Sequence, residues 1–154
     1  VISTRITEEE YAQILARARN EPGVASGAGQ QVGADWLNAG IRTGAMPIPA
    51  SVAERLEGRR FGSFDAYRRA FWKAVAQEPE LMGQFDRRSQ EAIKKGFAPS
   101  TPKSVRVGKR DRWELDHINP LWNNGELYGA DNLQIMPPKS HIEKTREDMK
   151  GYRS

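Results

Sequence analysis

The chain contains two histidines, His117 and His141, and no cysteine. Both histidines fall within one segment: Leu115-Asp116-His117-Ile118-Asn119-Pro120, then Gly125-Glu126-Leu127-Tyr128, Asp131-Asn132-Leu133-Gln134 and His141-Ile142-Glu143-Lys144-Thr145. Without thiolates, any metal must sit on His, Asp, Glu or Asn. Hydrolysis of a phosphodiester needs a base to deprotonate water and a cation to neutralise charge on the phosphorane and the leaving oxygen. Asp116-His117 sets a carboxylate beside an imidazole. On its own such a pair is usually a surface turn; with Asn132 and His141 following in the same segment, the set is far more specific. Neighbouring residues on a strand face opposite ways, so this Asp and His can serve one site only where the chain leaves the sheet, and Pro120 fits that exit. His141 falls early in a helix, with Thr145 one turn on along the same face. A helix packed across the strands would bring His141 towards Asp116 as a two-point metal clamp. Asn132 either orients the loop carrying His117 through its amide or offers the metal a neutral oxygen.

The elements that must position these residues can be read from periodicity and caps. Thr7-Glu8-Glu9-Glu10 is a capping box, and Tyr11, Ile14, Leu15 and Ala18 follow at helical spacing to about residue 19. Glu21 to Gly33, rich in glycine, reads as a loop or linker. Trp36-Leu37 predicts a short helical turn closed by Gly40, Met46 to Pro49 an extended stretch, and Ser51 to Leu56 a second short helix. Ser63 caps a stronger helix whose Phe64, Tyr67, Phe71 and Val75 share a face. Leu81 to Lys95 predicts one polar helix stopped by Gly96. Trp113 to Leu115 and Leu133 to Met136 read as strands, and Pro137-Pro138 opens a last helix to about Lys150. Strand, long loop, strand and helix thus close the chain. Trp36, Tyr67, Phe71 and Trp72 read as core, whereas Trp122 serves DNA contact and local packing equally well.

Composition narrows the class. With 38% hydrophobic and 29% charged residues, the balance is that of a soluble globular domain, and no apolar run reaches the ~20 residues of a membrane span. The first residue is Val and no signal-like segment follows it, so the chain reads as a piece of a longer polypeptide. Lys and Arg balance Asp and Glu at 3 and 3 over residues 1–20 and at 7 and 7 over 21–80. They stand at 9 against 3 over 81–113, and at 5 against 7 over 114–154. The whole basic excess therefore lies in one stretch, a footprint suited to a polyanion.

With these residues in place, the sequence resembles the HNH, or ββα-metal, endonucleases, and closely the DNase domains of nuclease colicins and S-type pyocins. Glu114-Leu115-Asp116-His117, Asn124-Gly125-Glu126-Leu127-Tyr128, Asp131-Asn132-Leu133 and Pro138-Lys139-Ser140-His141-Ile142-Glu143 match in order and spacing. Upstream, Val32 to Leu37, Pro47-Ile48-Pro49, Ser63-Phe64-Asp65 and Gly96-Phe97 match as well. The resemblance implies an α+β fold, a helical N-terminal body with a C-terminal ββα-metal (HNH) motif at about 112–150. The helix at 1–20 reads as the end of a preceding connector, and 21–154 as the DNase domain. The resemblance implies that His117 is the base, that Asp116 and His141 hold the metal, and that Asn132 positions the base. Arg19, Arg110 and Glu114 fall on positions used around the scissile phosphate. Two departures stand out: Asp116 where these DNases usually have a second His, and Thr145 at the last ligand position. One divalent ion is expected, Mg²⁺ or Mn²⁺ from the oxygen-rich ligands, with Zn²⁺ and Ni²⁺ as alternatives. The expected partners are double-stranded DNA and a small acidic immunity protein bound at about 84–112. The expected setting is a bacteriocin or antibacterial effector, secreted or released by its producer and acting in the cytoplasm of the target cell. Two rival readings stay open at this point: a phage or restriction-type HNH endonuclease, and a catalytically inactive DNA-binding module. His117 itself is expected to titrate near the ordinary value of ~6.5.

Overall fold

A computed structural model describes residues 6–153, so residues 1–5 of the expected connector and Ser154 lie outside it. Helix α1 (Glu8–Arg19) begins as its capping box dictates. Thr7 accepts from the Glu10 N–H at 3.0 Å, and the Glu10 carboxylate accepts from the Thr7 N–H at 3.1 Å. The glycine-rich segment that follows is tied down rather than free. Strand β1 (Gly23–Val24) pairs antiparallel with β3 (Arg60–Phe61), and Asp131 accepts from the N–H groups of Ala28 and Gly29. Helix α2 (Trp36–Thr43) runs past Gly40 and ends at Gly44, whose φ of 89° needs a residue without Cβ.

Strand β2 (Met46–Pro47) and helix α3 (Ala50–Leu56) lead to helix α4 (Phe64–Val75). The Ser63 hydroxyl caps α4, accepting from the Ala66 N–H. The single polar helix expected from Leu81 to Lys95 is two: α5 (Pro79–Met82) and α6 (Arg87–Lys94). Asp86 breaks it, because its side chain accepts from the Ser89 N–H at 2.8 Å and so starts a new helix.

The site-bearing end is a three-stranded antiparallel sheet of order β2-β5-β4, with β4 spanning Glu114–His117 and β5 spanning Leu133–Met136. Asp116 lies opposite Gln134 and His117 opposite Leu133, while Met46 of β2 lies opposite Ile135. Helix α7 (Pro138–Arg153) then crosses β4 and continues through Gly151. The architecture is the expected α+β one, a helical body joined to a ββα end. Its core runs between α3, α4 and the sheet, with Trp36, Tyr67, Phe71 and Trp72 all buried as the sequence reading expected. Phe64 and Tyr67 stack at 5.5 Å, and Phe64 reaches the His117 ring at 4.7 Å, so the helical body directly backs the site.

Candidate active site

Strand alternation puts Glu114 and Asp116 on one face of β4, and His141 at the start of α7 meets both. His141 Nδ1 lies 2.7 Å from a Glu114 oxygen, and Nε2 lies 3.3 Å from Asp116 Oδ1. The second Asp116 oxygen accepts from Gln134 Nε2 at 2.8 Å and lies 3.3 Å from the Lys144 ammonium. Lys144 also donates to the His117 carbonyl and pairs with Asp148. Arg110 grips Glu114 through two nitrogens, with Nε at 3.0 Å from Oε2. Burial opposes ionisation of Glu114, but His141 and Arg110 outweigh it and hold the carboxyl at about 2. Asp116 is likewise lowered: burial resists, and hydrogen bonds from His141 and Gln134 prevail. For His141, burial disfavours charge, yet the two carboxylates raise its pKa. The two carboxylates therefore favour the protonated form of His141.

His117 ends β4, 5% exposed, and its Nε2 lies 3.0 Å from the Leu127 carbonyl. A carbonyl only accepts, so Nε2 carries the hydrogen and Nδ1 is left as the proton acceptor. Burial, the largest influence, pulls the imidazole down to about 4, which places it below the ordinary value expected from sequence and keeps it neutral at pH 7. The loop supplying Leu127 is stapled by Asn132. Its amide nitrogen donates to the Asn119 and Glu126 carbonyls, and its oxygen accepts from the Asn119 N–H at 2.8 Å. Asn132 thereby holds the loop that carries His117. Gly125 is a tight point in the same loop: a Cβ there would lie 1.9 Å from the Asn119 carbonyl oxygen. Backbone cannot rotate away, so Gly125→Ala is expected to lower the melting temperature and to depress cleavage together. Wild-type melting and activity in that variant would contradict this account of the loop.

Asp116, His117, His141 and Thr145 share one cavity with Arg19, Tyr11 and Leu15 of α1. Its volume is about 20 Å³, room for about one water molecule. Arg19 is half-buried and lies on the walls of both this cavity and a wider groove with Arg110, Glu114 and His141. Trp122 packs locally, donating to the Tyr11 hydroxyl at 3.0 Å and meeting Tyr152 edge-on.

The donor set can be tested against a metal. Among the described residues no group of three or more His, Cys, Asp and Glu converges to hold an ion. Asp116 and His141 do converge, and their 3.3 Å separation approximates the ~3 Å expected for adjacent ligands each ~2.1 Å from one small cation. The site fits an ion held by two protein ligands, with Glu114 fixing the far nitrogen of His141, as outer-shell carboxylates do. The sequence reading missed Gln134 and Lys144, which hold Asp116, and the Leu127 carbonyl, which sets the His117 tautomer.

Two antiparallel strands and a crossing helix, with Asp-His at a strand end and His at the helix start, define the ββα class of nuclease folds. The family model for the colicin/pyocin-S2 DNase domain matches residues 23–146. The chain belongs to that family. It is 40% identical to colicin E7 of Escherichia coli over 125 residues, covering 81% of this chain and 22% of that protein. Pyocin S2 of Pseudomonas aeruginosa is 38% identical over 125 residues, covering 81% of this chain and 18% of that protein. The chain thus spans about a fifth of the length of these relatives. Among solved structures, a pyocin AP41 DNase–immunity complex superposes with a TM-score of 0.77 at 38% identity, covering 82% of this chain and 99% of that one. The nuclease domain of pyocin S8 with its cognate immunity protein gives 0.76 at 39%, covering 80% and 98%. The family description is that of a DNase domain, which favours the bacteriocin-type nuclease over the phage or restriction-type reading.

Proposed function

We propose that residues 21–154 form a metal-dependent, largely non-specific DNA endonuclease, preceded by a helix at 1–20 that ends a connector. The observation that carries this reading is a neutral His117, its tautomer set by Leu127, beside the Asp116–His141 pair. His117 takes a proton from the attacking water through Nδ1. Asn132 holds the loop that orients it. Asp116 and His141 would hold the ion, which when bound supplies positive charge against the phosphorane and the leaving oxygen. Glu114 keeps His141 facing Asp116, Arg110 anchors Glu114, and Arg19 contacts the scissile phosphate. The described residues show no helix able to cross a membrane. Phosphate contacts dominate such binding, so affinity falls steeply with salt. In a plasmid-nicking assay the chain should cut with Mg²⁺ and stop with EDTA; no nicking with any divalent ion would overturn the reading.

The ion is a hard one, Mg²⁺ or Mn²⁺, since Asp116 contributes an anionic oxygen and Thr145 cannot act as an imidazole. Thr145→His is expected to tighten Zn²⁺ and Ni²⁺ binding, read by calorimetry without DNA. A wild type active with Zn²⁺ but silent with Mg²⁺ and Mn²⁺ would refute the assignment.

The domain is the toxic part of a bacteriocin or secreted antibacterial effector, released by its producer and active in the target cytoplasm. Its protective partner is a small acidic immunity protein bound at about 84–112. Phe97 supports that surface: it is 54% exposed, beside Arg110 and Arg112, and offers an apolar anchor within a basic field. Hydrogen exchange on the complex should protect residues 84–112. Protection confined to 114–148 would rule the surface out.

A further inference from the structure

A groove of about 830 Å³ between α3, β3 and α4 is lined by Arg55, Arg59, Arg60, Arg69 and Lys73, with no carboxylate on its walls. Arg55 is tied to Glu78 at 2.8 Å and Arg69 to Asp65 at 3.3 Å. Arg59 lies over the Phe61 ring at 5.3 Å. Among the described residues, Arg59, Arg60 and Lys73 have no carboxylate within ion-pair distance, and all three are exposed. Like charges are kept together here at a cost in mutual repulsion, which a polyanion would relieve.

Arg69 also lines a second groove, of about 550 Å³, with Arg68, Arg110, Arg112, Glu114 and His141. The two grooves share Arg69, and along the line from His141 across α4 to α3 the arginines outnumber the carboxylates Asp65 and Glu114 that pair with some of them. A nucleic-acid backbone is the ligand that presents phosphates in series along such a path. Lipid headgroups fit less well, because the groove is concave and its aromatic ring, Phe61, is buried rather than offered to an acyl layer. We propose that the α3–β3–α4 groove is a second DNA-backbone site, which holds the substrate beyond the scissile position. This rests on the reading of the site as a DNase.

The test is Arg59→Gln/Arg60→Gln/Lys73→Gln in the full chain, measured in EDTA by anisotropy with a 30-base-pair duplex across salt concentrations. Three lost phosphate contacts should make the slope of log affinity against log salt shallower by roughly 2 to 3, and weaken binding at least about tenfold at low salt. Hydrolysis of bis(4-nitrophenyl) phosphate with Mg²⁺, which needs only the active site, should be unchanged, as should thermal melting. An unaltered slope and affinity in a variant that melts normally would overturn the groove. So would loss of binding to phosphatidylglycerol vesicles with DNA binding intact, which would mark a membrane surface instead. A wild type that hydrolyses neither plasmid nor the small ester would overturn the DNase reading itself.

Discussion

Replacing His117 with alanine is expected to lower DNA cleavage by at least ~100-fold, the lower end of what a general base contributes. The expectation rests on the tautomer. With Nε2 committed to the Leu127 carbonyl, Nδ1 is the acceptor, and among the described residues no protein group donates to it. The sequence alone placed the base on a loop. The ring is instead buried, packed on Phe64 at 4.7 Å, so its removal leaves a void and an unpaired carbonyl. A loss of roughly 1–3 kcal/mol follows, within the tolerance of a domain of this size. Cleavage must therefore be compared at a temperature where melting shows the variant folded. Metal binding, through Asp116 and His141, should persist in calorimetry. Undiminished nicking by the folded variant would end the assignment of His117 as base.

How much of this was legible in the sequence depended on how local each feature is. Asp116, His117, Asn132 and His141 lie within one strand–loop–strand–helix unit, so order and spacing revealed them. Gln134 meets Asp116 only through the register of β4 on β5, and that register is set by the burial of Leu115, Leu133 and Ile135. No spacing rule shows it. Lys144 did carry a signal, one turn beyond His141, but its partners Asp116 and Asp148 come together only when α7 crosses the strand. Strand β2 was hidden because Met46-Pro47 is two residues long and contains a proline; only pairing with Ile135 and Gln134 makes it a strand. The basic groove escaped for a different reason. Its cations are spread from Arg55 to Lys73, in a region whose charges sum to zero, and folding alone sorts the arginines to one side.

Weakening the hold of α1 is expected to raise cleavage several-fold. With Asp116 and His117 at most 6% exposed and the cavity near 20 Å³, the walls narrow the approach of a duplex to the base. Three of the walls, β4, the turn after Pro120 and α7, belong to the motif itself. The fourth is α1, whose single buried residue is Tyr11. Tyr11 accepts from Trp122 and meets Tyr152 edge-on at 5.9 Å; beyond it, Arg153 donates to the Ile6 carbonyl. An element with a single buried side chain can leave without unfolding the core behind it. Tyr11→Ala removes that anchor, and each ~1.4 kcal/mol lost from the closed arrangement raises the open population about tenfold until the open form predominates. Tyr11→Phe keeps the ring and loses only the Trp122 hydrogen bond, so its effect should be smaller. Arg19 stays available, because the chain just beyond it is fixed by β1. Hydrogen exchange over residues 8–19 reports directly on release. If those amides lose protection in Tyr11→Ala while cleavage stays at the wild-type rate or falls, α1 is not what keeps DNA from His117.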